Sequence, residues 1–311
     1  MSFKNSLKLL ASNFSVVWKH LVYLLITSAI TVGLILAFAG PSVDCLQSSG
    51  WVDKASSVFQ TVYTESRSVY SVIKEVVSSF FDVLGDNFSD IWFSIIGLII
   101  TAYLIPTIFA GIGNYNLTSI TQKKMTSLLN VGYTQNLISN LKPACAYSFV
   151  RMLFKLPFDL IKIVVVVTLF DLSTTFITKL LFLFLMFTLL IIISTLEMVT
   201  FAGFAPYMVE KGGNAFKCFY KSTVPVFKKF EKNFSNAIVI TLTCLFVNGI
   251  LALFTAFSGL LITVPASLLF IVFYGNVVYL SCTNKRYYLS SSIIVNPNVD
   301  ESKPFETKDN I

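Results

Sequence analysis

Along this chain, apolar residues run together in long stretches and polar residues gather between them. The runs cover 21–39, 91–112, 149–170, 176–201, 237–257 and 260–280. Each comes near the ~20 residues that a helix needs to cross about 30 Å of hydrocarbon. The pattern predicts an all-α fold, a polytopic membrane helix bundle with six transmembrane helices. The third and fourth runs, and the fifth and sixth, are joined by very short connections, so each pair reads as a helical hairpin. A six-span membrane domain is expected over 1–285. A cytoplasmic tail follows over 286–311; from Asn296 onward it is polar, holds two prolines and has no periodicity, which predicts disorder.

The first run needs one check. Ala37, Phe38 and Ala39 precede Gly40 in the manner of a signal-peptidase site. The run is longer than the 7–15 apolar residues usual in a signal peptide, and a long amphipathic segment precedes it. It is expected to stay as a first span.

The polar segments carry their own pattern. Residues 114–157 hold Lys123, Lys124, Lys142, Arg151 and Lys155 and no acid, and residues 210–236 hold six lysines against Glu210 and Glu231. The N-terminus carries Lys4, Lys8 and Lys19. The 41–90 segment is the reverse, with seven acids against Lys54, Arg67 and Lys74. Cytoplasmic loops are enriched in Lys and Arg, so a six-span arrangement puts every basic loop inside. Both termini are then cytoplasmic, in a cell membrane, and 41–90 lies outside. Within that loop Val62, Val69, Ile73, Val76, Phe80 and Leu84 recur at helical spacing, which predicts one external amphipathic helix over about 52–84.

Two short matches suggest an internal repeat. Asn5-Ser-Leu-Lys8 aligns with Asn214-Ala-Phe-Lys217, and the same offset pairs Val17 with Val226 and Lys19 with Lys228. Phe109-Ala-Gly111 matches Phe201-Ala-Gly203. The implied unit is a basic cytoplasmic interfacial helix leading into two spans. Helices of this type rest in the headgroup zone, so the expected partner is the lipid bilayer, with anionic headgroups at the cytoplasmic face. Pro106, Pro206 and Pro265 fall in or at the ends of the even-numbered spans, where they kink a helix or break it beside a cavity.

Composition narrows the function classes. Of the 311 residues, 55% are hydrophobic, 13% are charged and 30 are Phe. A soluble domain carries about 25% charged residues. The net charge of +7 is therefore read as topology-setting, and nucleic acid is not expected, since no basic soluble domain is present. The five cysteines are scattered and the one histidine is His20, so no zinc site, metal or cofactor is expected. Catalytic signatures for serine hydrolases, zinc proteases and phosphate-binding loops are missing, so no catalytic residue is assigned.

Phe204-Ala-Pro-Tyr-Met-Val-Glu210-Lys-Gly-Gly, then Asn214-Ala-Phe-Lys217 and Lys221-Ser222, then a basic, Phe-rich run into the fifth span, form a pattern. With Asn284-Lys-Arg-Tyr-Tyr288 at the end of the sixth span, it resembles a group of six-span integral membrane proteins of Gram-positive bacteria. These are similar to the membrane domain attached to some glycerophosphodiester phosphodiesterases. The resemblance covers about the C-terminal half and implies a multi-pass membrane fold. It carries no catalytic residue, and the soluble phosphodiesterase domain has no counterpart in these 311 residues.

Charges inside apolar runs mark candidate chemistry, because a charge in hydrocarbon costs several kcal/mol. Asp159 and Lys162 share a helix face, with Lys162 roughly 12 Å in from Phe170 at 1.5 Å per residue. Glu197, on the neighbouring span, is expected to approach Asp159 or Lys155. The candidate site is an intramembrane polar cluster of Lys155, Asp159, Lys162 and Glu197, facing a cavity or serving as a structural ion pair. Asn248, Gly275 and Asn276 are expected at helix contacts. Two functional readings lead, ahead of a membrane enzyme acting on lipid substrates. One is a non-enzymatic scaffold or envelope-homeostasis protein, which predicts a bundle packed solid. The other is a transporter or channel-like protein for a small or charged solute, which predicts a polar cavity lined by the cluster.

Overall fold

The computed structural model describes residues 2–64, 69–171, 176–290 and 292–297. Helices dominate, and among the described residues five helical stretches are long and apolar enough to cross a membrane: Ser15–Ser48, Phe88–Ser127, Leu180–Lys211, Phe230–Phe254 and Leu260–Cys282. Their outward residues are apolar; Phe184, Leu253 and Phe254 are exposed by 74%, 83% and 84%. Apolar surface this extensive, along helices of membrane-spanning length, suits a solvent that is itself apolar. The chain is a polytopic membrane protein in contact with lipid.

By contact the chain divides into two units, Met1–Leu24 with Ile108–Ile311, and Leu25–Thr107. In the larger unit, α1 (Ser2–Ser12) leads into α2 (Ser15–Ser48), which continues into the smaller unit. Asn13 makes the break: its side-chain amide donates to Leu9 O at 2.7 Å, and its own carbonyl accepts from Val16 N.

The smaller unit also holds α3 (Trp51–Thr64), α4 (Val69–Asp86) and α5 (Phe88–Ile99). The single amphipathic helix expected over 52–84 is thus two helices, and the residues between them, 65–68, lie outside the described ones. Ala55 and Val58 of α3 pack on Val72 and Val76 of α4, with Trp51 Nε1 donating to Ser79 Oγ at 3.1 Å. An apolar stripe has the same period on both arms of a helical hairpin, so the spacing alone does not reveal the turn. In the same unit Phe38 of α2 lies directly over Gly97 of α5, where a Cβ would come within 2.2 Å of its ring. Ser42 and Ser94 are hydrogen-bonded at 2.8 Å beside it.

After α5, one π-helical turn covers Ile100–Leu104, with Ile105 N donating five residues back to Ile100 O. Pro106 explains its place: without an N–H, Pro106 cannot donate to Ala102 O one turn back, and the helix widens to absorb the mismatch. The helix resumes as α6 (Ile105–Ser127), well beyond the expected end at Ile112. Its second half buries polar side chains, among them Asn116, Thr118, Ser119, Thr121 and Gln122.

The rest of the larger unit is α7 (Tyr133–Ser139), α8 (Leu141–Asp171), α9 (Phe176–Phe201), α10 (Phe204–Lys211), α11 (Ala215–Lys228), α12 (Phe230–Phe254) and α13 (Leu260–Cys282). α8 and α9 pack side by side, as do α12 and α13. α8 coincides with the third apolar run, yet it is not among the five membrane-length apolar stretches, because Arg151, Lys155, Asp159, Lys162 and Asp171 interrupt it.

The proposed tail also differs from expectation over its first part. β1 (Tyr287–Ser290) and β2 (Ile293–Val295) form an antiparallel hairpin. Tyr287 is buried in the core, and its hydroxyl accepts from Asn5 Nδ2 of α1 at 2.9 Å, which fixes the segment to the bundle. Residues 298–311 lie outside the described ones.

Three packed groups form the core of this unit. One joins Leu9 and Val17 to Leu117, Phe273 and Tyr287. Another gathers Tyr115, Tyr147, Phe204 and Met208. The third joins Val199 and Val226 to Ile240, Phe270 and Tyr274.

A candidate solute site between the helices

Spacing on α8 brings the charges together. Arg151, Lys155, Asp159 and Lys162 follow one another at intervals of four, four and three residues, which keeps them on one face of a 3.6-residue helix. Glu197 comes from the adjacent α9. All four residues of the expected cluster meet. Lys155 pairs with Asp159 and Lys162 pairs with Glu197, each in direct hydrogen-bonding contact. Lys162 Nζ also lies 3.6 Å from the second oxygen of Asp159. The side chains of Lys162 and Glu197 are 23% and 13% exposed. Inside an apolar environment an ion loses much of its hydration, so each of these charges is held by an opposite one.

The Lys162–Glu197 pair forms part of the wall of a cavity of about 260 Å³. Thr118 and Asn114 of α6 line it one helical turn apart. Arg151 contributes from α8, Thr241 from α12, and Tyr274 and Gly275 from α13. Thr118 is held by its own helix, its hydroxyl donating to Asn114 O at 2.8 Å. Tyr274 is anchored across the bundle, donating to Asn233 O at 2.7 Å. Gly275 lets α13 approach closely: a Cβ there would meet Ala202 O at 2.8 Å.

Lys155 and Asp159 are connected to this cavity through Lys162 and do not themselves line it. Several wall residues escaped sequence reasoning, Thr241 and Tyr274 among them. Asn114, Thr118 and Arg151 all fall in the 114–157 segment, where the positive charges were read as loop charge. The four-residue step from Arg151 to Lys155 was the available signal that Arg151 belongs to the same face.

A second polar network occupies the α6–α7 region. Asn136 Nδ2 donates to Asn116 Oδ1 at 2.7 Å, and Asn136 Oδ1 accepts from Lys123 Nζ at 2.9 Å. Tyr133 Oη is 2.9 Å from His20 Nδ1, and Asn276 Nδ2 donates to Thr121 Oγ at 2.6 Å. Asn276 is thus a helix contact, as expected; Asn248 likewise donates to Ser267 Oγ of α13 at 3.1 Å. These groups hydrogen-bond one another and read as structural, although the buried Oδ1 atoms of Asn248 and Asn276 accept no hydrogen bond. Among the described residues no cluster of His, Cys, Asp and Glu has the grouping of a metal site.

The glycines of the two Phe-Ala-Gly matches have related roles. Gly111 faces Ser148 of α8, and Gly203 faces Ser222 and Val226 of α11; in both, a helix crosses where a side chain would not fit. The other match diverges. Asn214 caps α11, accepting from Phe216 N at 3.0 Å, whereas Asn5 sits within α1 and bonds Tyr287.

No protein family, curated protein or solved structure matches the chain.

Proposed function

We propose that this is a six-span membrane protein, both termini cytoplasmic, that binds and passes a small charged solute. α8 serves as the remaining span, third in chain order, its charges kept inside the bundle against Glu197 and the cavity. The carrying observation is the cavity of about 260 Å³ whose wall includes Arg151, Lys162 and Glu197. A protein that only scaffolds has no use for charges around a space of this kind, since packing apolar side chains there would be at least as stable. The scaffold reading is therefore the weaker one. Likeness to the six-span proteins of Gram-positive bacteria is retained as part of the same proposal and adds no activity to it.

The basic helix α11 supports the orientation. Its buried side is Ala215, Cys218, Ser222 and Val226, while Phe216, Tyr220, Val224 and Phe227 form an exposed apolar stripe beside Lys217, Lys221 and Lys228. This suits a helix lying in the headgroup layer with its lysines toward anionic lipid.

The test is flux. Protein in proteoliposomes on a supported membrane is challenged with concentration jumps of small inorganic and organic ions. Wild-type protein is expected to carry a saturable current that Glu197→Gln and Asp159→Asn alter. Currents equal to those of empty vesicles for every solute would return the scaffold reading.

A further inference from the structure

Resting on that reading, we propose that the solute is an oxyanion, carrying a carboxylate or a phosphate group, and that Arg151 recognises it. The four residues of the cluster cancel: Lys155 and Lys162 carry two positive charges, and Asp159 and Glu197 two negative ones. Arg151 is left over. Among the described residues no carboxylate lies within ion-pair distance of it. Its Nε is shielded from solvent and has no hydrogen-bond partner. The guanidinium carbon lies 5.8 Å from the centre of the Phe201 ring, an attraction through the ring face that satisfies no N–H donor.

A guanidinium does not escape this cost by losing its proton, as a lysine can, because it remains charged at any physiological pH. An unpaired, partly desolvated cation facing a cavity is stabilised by an anion entering that cavity. The planar fork of N–H donors matches the two oxygens of a carboxylate or phosphate. Asn114 and Thr118 supply polar groups on the opposite helix, and Lys162 lies in the same wall. Lys162 is already held by Glu197 and Asp159, so it does not attract an anion as an isolated charge would. The volume of about 260 Å³ falls just below the ~300–1,000 Å³ of sites for drug-sized molecules, which points to a small solute or to the headgroup end of a lipid.

The experiment uses the full chain in phosphatidylcholine nanodiscs, titrated by calorimetry with inorganic phosphate, acetate and, as cationic probe, tetramethylammonium, at constant ionic strength. Phosphate or acetate is expected to bind saturably. Arg151→Gln is expected to weaken that binding by about tenfold or more, and Arg151→Lys by less. Glu197→Gln releases Lys162 and is expected to tighten it, which gives a second reading if the Arg151 variants fold poorly. In discs containing phosphatidylglycerol, loss of the phosphate isotherm in wild-type protein, with its return at high phosphate, would identify a lipid headgroup as the anion; an unchanged isotherm identifies a free solute. Binding of the cation and of neither anion, or anion binding untouched by both Arg151→Gln and Glu197→Gln, overturns the assignment and leaves the solute reading standing. Binding of none of the probes, with no flux, removes both.

Discussion

Glu210, at the end of α10, accepts a 2.9 Å hydrogen bond from the Tyr279 hydroxyl on α13. Lys285, just past α13, pairs with the same carboxylate and lies 5.9 Å from the centre of the Tyr279 ring. The two motif segments, 204–213 and 284–288, thus meet at a single carboxylate although they lie far apart in the chain. Tyr279→Phe is expected to lower stability by about 1 kcal/mol, and Glu210→Gln by about 1–2 kcal/mol, the charge-assisted bonds being partly screened at this half-exposed position. Thermal unfolding of both single variants and the double variant checks this. Strict additivity would show that the contact is not formed.

The pair between Lys162 and Glu197 makes a different kind of prediction. Lys162→Met leaves Glu197 without its lysine, and Glu197→Leu leaves Lys162 with Asp159 alone. Each is expected to cost about 3 kcal/mol, and the double variant clearly less than either, because no uncompensated charge remains. Equal cost for the double and the sum of the singles would argue against coupling.

Glycine substitutions are expected to separate two positions of one hairpin. At Gly275 an added Cβ would lie 2.8 Å from a backbone oxygen, Ala202 O, which cannot swing aside. Gly275→Ala should destabilise by about 1–3 kcal/mol. At Gly249, five residues before the end of α12, nothing lies within 4 Å of such a Cβ. Gly249→Ala should stabilise by about 0.5–1 kcal/mol. Melting temperatures moving in the same direction for both would contradict the packing described.

Two native cysteines report orientation. Cys45 lies in the acidic segment assigned to the outside, and exposed Cys145 in the basic segment assigned to the inside. In intact cells a membrane-impermeant maleimide is expected to reach Cys45 before Cys145, and Cys145 only after permeabilisation. The opposite order would invert the topology.

Hydropathy made the long helices legible, because a lipid-facing helix is apolar all around. α2 and α12 were readable for that reason, from Leu21 and Ala237 onward. The second half of α6 was not. Asn116, Thr118 and Thr121 are polar yet buried, satisfied by Tyr133, by the helix itself and by Asn276. Partners of that kind come from distant parts of the chain and leave no local trace. The cluster was partly legible, since Asp159 and Lys162 stand out against Val and Ile. Arg151 was hidden by an ambiguity of sign: a cation near a span end sets topology and lines a cavity equally well. The α3–α4 hairpin was hidden by periodicity, and the anchoring of Tyr287 by its dependence on Asn5, at the other end of the chain.

That last dependence reaches into biosynthesis. α1 packs on α13, with Phe3 against Phe270 at 5.7 Å between ring centres, and buried Thr121 of α6 accepts its bond from Asn276 of α13. α1 is therefore synthesised well before the helix it packs on. Until α13 arrives, Thr121 of α6 lacks its Asn276 partner, and the nascent chain must hold an incomplete bundle in the bilayer. Chains cut short before Leu260 would keep most of their apolar spans and still lack a closed core, which makes them natural targets for membrane quality-control proteases.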